Sequence, residues 1–182
     1  MIKLDEAYNR MKEHTDFPLL MIYENDTHFI GTNSLYILID KEKGDVTKEY
    51  NFTSLLSITN VDDLKPVFYQ NIFDNFMEYY KRHYDEKSLA HMYASAWYIV
   101  YHAPTGDSNE KRLTDAEESV FSRWKQIEGI LYRDIRGIID NEDIDYPPCV
   151  LNHFDDPFFR IKPFMVRNGY TDNGYGLWVE NK

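Results

Sequence analysis

The spacing of apolar residues changes near Asn60, and that change commits the chain to an α+β architecture. Upstream, short apolar runs alternate with turn residues. Residues 19–23 (LLMIY), 28–31 (HFIG) and 35–39 (LYILI) predict strands, Glu24-Asn25-Asp26-Thr27 a turn, and Lys41-Glu42-Lys43-Gly44 a hairpin into residues 45–52. Residues 4–14 set Leu4, Ala7, Tyr8 and Met11 on one helical face, so the first 52 residues predict a small antiparallel sheet with one helix against it.

Downstream, Tyr69, Phe73, Phe76 and Tyr80 recur at helical steps, and residues 89–102 are apolar on nearly every side, which predicts a buried helix. Asn60 predicts a cap for a helix starting at Val61, which Pro66 restricts to a first turn. Residues 103–107 (APTGD) predict an exposed loop. Thr114-Asp115-Ala116-Glu117 is a capping box, and the helix it opens carries an apolar stripe of Val120, Trp124, Ile127, Leu131, Ile135 and Ile138. In the tail from residue 158, Asn168-Gly169 and Asn173-Gly174 are hairpin-type dipeptides. They predict two short strands available to complete the N-terminal sheet.

The 182 residues suit a single α+β domain, 1–182, with a sub-boundary near 55–60 that can equally be the junction of its sheet-rich and helix-rich parts. A chain of this length buries roughly 70% of its unfolded surface, so it needs no disulfide or metal to fold. The lone Cys149 agrees, since one thiol makes no internal bridge. The charged opening MIKLDEAYNRMKEHTD is unlike a signal peptide, and no apolar run approaches the roughly 18 residues of a membrane span. A cytoplasmic protein of a bacterial host cell is expected.

Net charge narrows the partners. There are 31 Asp and Glu against 20 Lys and Arg, a formal charge of −11. Free nucleic acid and anionic membranes are disfavoured, because both are bound chiefly through Lys and Arg. A basic protein, an uncharged ligand or simple solubility remain. Along the chain the excess is spread: 10 acidic against 6 basic in residues 1–60, 8 against 6 in 61–113, and 13 against 8 in 114–182. The densest groups are Asp140, Glu142, Asp143 and Asp145, followed by Asp155 and Asp156, which are the candidate partner-binding residues. Such clusters either imitate a phosphate row or form a solvated loop. The 15 Tyr, 11 Phe and 3 Trp fit either an aromatic-rich core or an interface.

Catalytic patterns are weak. His91 and His102 share a helical face but lie more than about 16 Å apart in rise, too far for one metal ion. His153 with Asp155 and Asp156 has no known ligand spacing, and Cys149 with His153 lacks an oxyanion-hole motif. Asp40-Lys41-Glu42-Lys43 has the residue types of a nuclease Glu-x-Lys in the wrong order. No catalytic residue, metal or cofactor is expected.

In charge, size and lack of catalytic motifs the chain resembles the anti-CRISPR proteins of phages and mobile elements, several of which resemble nucleic acid to their targets. The segment Pro163-Phe164-Met165-Val166-Arg167-Asn168-Gly169-Tyr170 is also similar to tails of proteins from low-GC Gram-positive mobile elements. The resemblance implies an acidic inhibitor that binds a basic nucleic-acid-handling protein. Its expected partner is a type II CRISPR effector nuclease or its guide RNA complex, with the RNA/DNA channel blocked or the nuclease redirected. Toxin-immunity proteins are the competing resemblance, through the strand–turn–strand of residues 35–46. A small RNA-acting hydrolase using His91 or His153 is the third reading.

Overall fold

The computed structural model describes residues 1–101, 113–141, 157–174 and 177–181. The expected loop at 103–107, His102, Cys149 and His153 lie outside them. The chain gathers into two compact units: Met1–Tyr79 with Leu113–Val120, and Tyr80–Arg112 with Phe121–Lys182.

The first unit is built on the predicted meander. Strands β1 (Met21–Glu24), β2 (His28–Thr32), β3 (Tyr36–Asp40) and β4 (Val46–Glu49) pair antiparallel in sequence order. Ile37, Leu38 and Ile39 are all buried, so β3 is covered on both faces. One cover is α1 (Leu4–Lys12), which packs on β2 and β3 through Ala7, Tyr8 and Met11. Its acidic residues lie in the first turn and its basic ones in the last, which complements the helix dipole. Gly31 leaves the room this packing needs, since a Cβ there would come within 2.8 Å of the Met11 sulfur. On the other face Leu55 joins Ile30 and Leu38, flanked by Tyr23, Tyr36, Ile58, Val61 and Leu64. The β3–β4 turn is tied by Asp40, whose carboxylate accepts the N–H groups of Glu42 and Lys43, and it closes on Gly44 at φ 77°.

Residues 51–66 depart from expectation. The cap is Asn51, which accepts the Ser54 N–H at 2.9 Å and opens a short α2 (Phe52–Leu56). Asn60 accepts from the Asp62 N–H in a turn and starts no helix. Lys65–Pro66 forms β5 and pairs with β1, giving the order β4-β3-β2-β1-β5. Proline lacks the N–H for a ladder and disfavours helix in the residue before it, so an edge strand suits it. The next helix, α3 (Gln70–Arg82), buries Phe73 and Phe76 as the spacing implies, with Ile72 beside them, Tyr69 buried just ahead of it and Tyr80 half-buried. Phe17 meets Phe76 and Tyr79 edge-on, at 6.2 and 5.3 Å between centroids.

The second unit is mainly helical. In α4 (Glu86–Tyr101) eight residues from Leu89 to Ile99 are buried, but Tyr98 and Tyr101 are exposed, so the apolar surround is incomplete. The capping box opens α5 (Asp115–Asp140), whose residues up to Val120 group with the first unit, and the Glu117 N–H donates to Thr114 Oγ1 at 3.2 Å. Five stripe residues are buried as expected, but the sixth buried position is Ile139 rather than the half-buried Ile138. Ile139 is four residues beyond Ile135, the step that stays on the stripe.

The tail forms the two expected short strands, preceded by a helix that the turn dipeptides did not announce. Pro157–Arg167 is a helix, α6, which buries Ile161, Phe164 and Met165 at helical spacing despite Pro163. Asn168-Gly169 ends that helix: both amides bond back to carbonyls of its last turn, and Gly169 takes φ 92°. Only Asn173-Gly174 serves a hairpin, between β6 (Tyr170–Asp172) and β7 (Trp178–Glu180). That pair forms a separate two-stranded sheet and does not complete the first.

Candidate acidic interface

The fold segregates charge that the sequence spreads. The first unit holds 17 acidic and 7 basic side chains, net −10; the second holds 14 and 13, net −1. Nearly the whole excess therefore belongs to one unit. Among the described residues two ion pairs join charges within it, Arg10–Glu6 at 2.6 Å and Lys41–Glu24 at 3.2 Å.

Some of its carboxylates serve the backbone. The Lys43 and Glu42 amides hold the Asp40 carboxyl below its ordinary range. Others frame the seam between α1 and the start of α3. Asp5 accepts a short hydrogen bond from the Tyr69 hydroxyl, Asn71 Nδ2 donates to that hydroxyl at 2.9 Å, and the Tyr8 hydroxyl donates to the Asn71 carbonyl at 3.3 Å. Burial pushes the Tyr8 hydroxyl up to about 12, with further contributions from Tyr69, Asp74 and Glu78. Asp74 and Glu78 are exposed and one turn apart on α3. With Asp5, which accepts from Tyr69, they place three carboxylates near the Tyr8–Tyr69 pair, an anionic seam between two helices. Asp62 and Asp63 are exposed on the turn before β5, where Asn60 Nδ2 donates to Asp63 at 2.7 Å.

Of the residues singled out in the sequence, Asp140 is exposed at the end of α5, 3.5 Å from Arg136. Glu142, Asp143, Asp145, Asp155 and Asp156 lie outside the described residues. Asp140 belongs to the nearly neutral unit. No family model, curated protein or solved structure matches this chain. Among the described residues, no three His, Cys, Asp or Glu gather as a metal site, and no helix is long and apolar enough to cross a membrane.

The second unit holds two titratable pairs, one on the half-buried His91 and one on the buried Glu128. His91 Nδ1 is 2.8 Å from the Tyr170 hydroxyl; burial lowers its pKa, partly offset by Glu180. Glu128 is only 8% exposed and accepts from the Tyr93 hydroxyl at 3.2 Å. Burial raises its pKa, against smaller opposing effects of Tyr93 and Lys125. Sequence reasoning passed over Glu128, although it stands four residues after Trp124 and three before Leu131, on the apolar stripe. Because its folded pKa is raised, Glu128 contributes stability that is complete below the ordinary carboxylate range and lost as pH rises through the folded value. His91, with a lowered folded pKa, acts oppositely: its contribution is present above about pH 6.5 and lost as pH falls through the folded value. Glu128→Gln is therefore expected to stabilise the chain by on the order of 1 kcal/mol at neutral pH, with the gain vanishing toward pH 4. Urea unfolding across pH 4–8 checks this; a variant less stable than the parent at pH 7 would show that the carboxylate is needed.

Proposed function

We propose that the chain is a non-enzymatic inhibitor that binds a basic nucleic-acid-handling protein. A type II CRISPR effector nuclease is its target, and the acidic unit occupies or perturbs the channel for guide RNA or target DNA. One observation carries this reading: the −10 charge of the first unit against −1 for the second. A surface potential concentrated in one compact body steers a cationic partner to that body and repels nucleic acid itself. The exposed aromatics of the same unit, Tyr50 and Phe52, supply the kind of anchor that turns steered encounter into a stable contact.

The test is capture by the immobilised chain from a panel of purified CRISPR effectors, with and without guide RNA. Capture of a free effector, reduced when its channel is already filled with RNA, is the expected result. Failure to retain any effector, alongside retention of a toxin or turnover of RNA by the purified chain, would replace the reading.

A further inference from the structure

The five-stranded sheet has two unlike edges. β5 is two residues long and contains Pro66, which offers no N–H to a neighbour. β4 is the other edge, and it is open. The Asp40 N–H donates to the Asp45 carbonyl at 3.1 Å, which fixes the alternation of the β3–β4 ladder. Leu38↔Thr47 and Tyr36↔Glu49 are then the bonded pairs, while Val46 and Lys48, opposite Ile39 and Ile37, direct their N–H and C=O groups away from β3. Among the described residues no backbone or side-chain group bonds them. Beyond the strand, Tyr50, Phe52 and Leu56 are 75%, 52% and 55% exposed, and the Phe52 ring lies 6.4 Å from that of Tyr36.

We infer that the β4 edge is a strand-addition site for an extended cationic segment of a protein partner, with lysine or arginine alternating with apolar residues. Two outward donor–acceptor pairs, about 6.8 Å apart, fit the ladder of one added strand. The neighbouring apolar side chains suit the alternate residues of that segment. Charge selects the occupant. Self-pairing of two β4 edges would bring two units of −10 together, whereas a cationic segment is attracted to one. The inference rests on the reading of the chain as a binder of a basic protein and names where and how it binds.

The experiment titrates the isotope-labelled full chain with a synthetic nonapeptide alternating lysine and valine, and with its glutamate–valine counterpart. With the lysine peptide alone, the Val46 and Lys48 amides should gain at least about tenfold protection from hydrogen exchange. Lys48→Pro removes an outward N–H but no β3–β4 bond, so it should abolish that protection with the fold intact. Phe52→Ala with Leu56→Ala, both at exposed positions, should weaken binding at least about fivefold if the proline variant does not fold. Protection elsewhere, equal response to the glutamate peptide, or β4 protection arising from self-association would overturn the inference. Effector capture that falls with salt but withstands Lys48→Pro would overturn the edge while leaving the acidic-binder reading in place.

Discussion

Replacing Asp62, Asp63 and Asp74 with Asn and Glu78 with Gln is expected to weaken binding to the cationic target at least about tenfold at 0.1 M salt. All four side chains are exposed and none is in an ion pair among the described residues. An exposed opposite-charge pair about 6 Å apart contributes roughly 0.7 kcal/mol in water before screening. Four such pairs, reduced about twofold by salt, give about 1.4 kcal/mol, a factor of ten in affinity. The amides keep the acceptors that Asn60 and Gln70 use on Asp63 and Asp74, so the thermal midpoint should stay within a few degrees of the parent. The comparison variant neutralises Asp140, Glu142, Asp143, Asp145, Asp155 and Asp156, the densest acidic groups of the sequence. Calorimetric titration of both variants should give the larger loss for the first; the reverse order would move the interface to the second unit.

The second large effect concerns the core of the helical unit. Trp124 is completely buried on α5 and heads its largest enclosed side chains. Trp124→Ala should cost about 3–5 kcal/mol, from lost burial plus the cavity left behind. Natural domains hold only about 5–15 kcal/mol, so the variant should unfold at a far lower urea concentration. The register of the stripe has its own test. Ile139→Ala should cost about 2–4 kcal/mol, and Ile138→Ala, at a half-buried position, about 1 kcal/mol. Equal losses would mean that the helix presents a different face.

Much of the first unit was legible because its signals agree. Short apolar runs, Asn25 and Asp26 in one turn and Gly44 in the next all specify the same meander. The capping box at Thr114 was equally legible, since the cap and the stripe are local. Three features were not. Asn51 and Asn60 both look like caps, and only packing of Leu55 under Leu38 selects the first. Asn168-Gly169 has the composition of a hairpin turn, yet Ile161, Phe164 and Met165 already carried a helical spacing into it. Charge was the third. Residues 62–78 and 115–118 group with the N-terminal sheet in the first unit, while Lys81, Arg82 and Lys87 do not, so thirds of the sequence with nearly even charge become units of −10 and −1. That grouping depends on tertiary structure, which no linear window reports.

The most direct measurement is the association rate of the intact chain with a captured CRISPR effector between 0.1 and 0.5 M sodium chloride. The Debye length falls from about 10 Å to less than half that over the range, so a contact steered by one strongly anionic unit should slow by about tenfold or more. A rate and affinity unchanged across the same range would contradict the account, because no contact made by so concentrated a charge can ignore its screening.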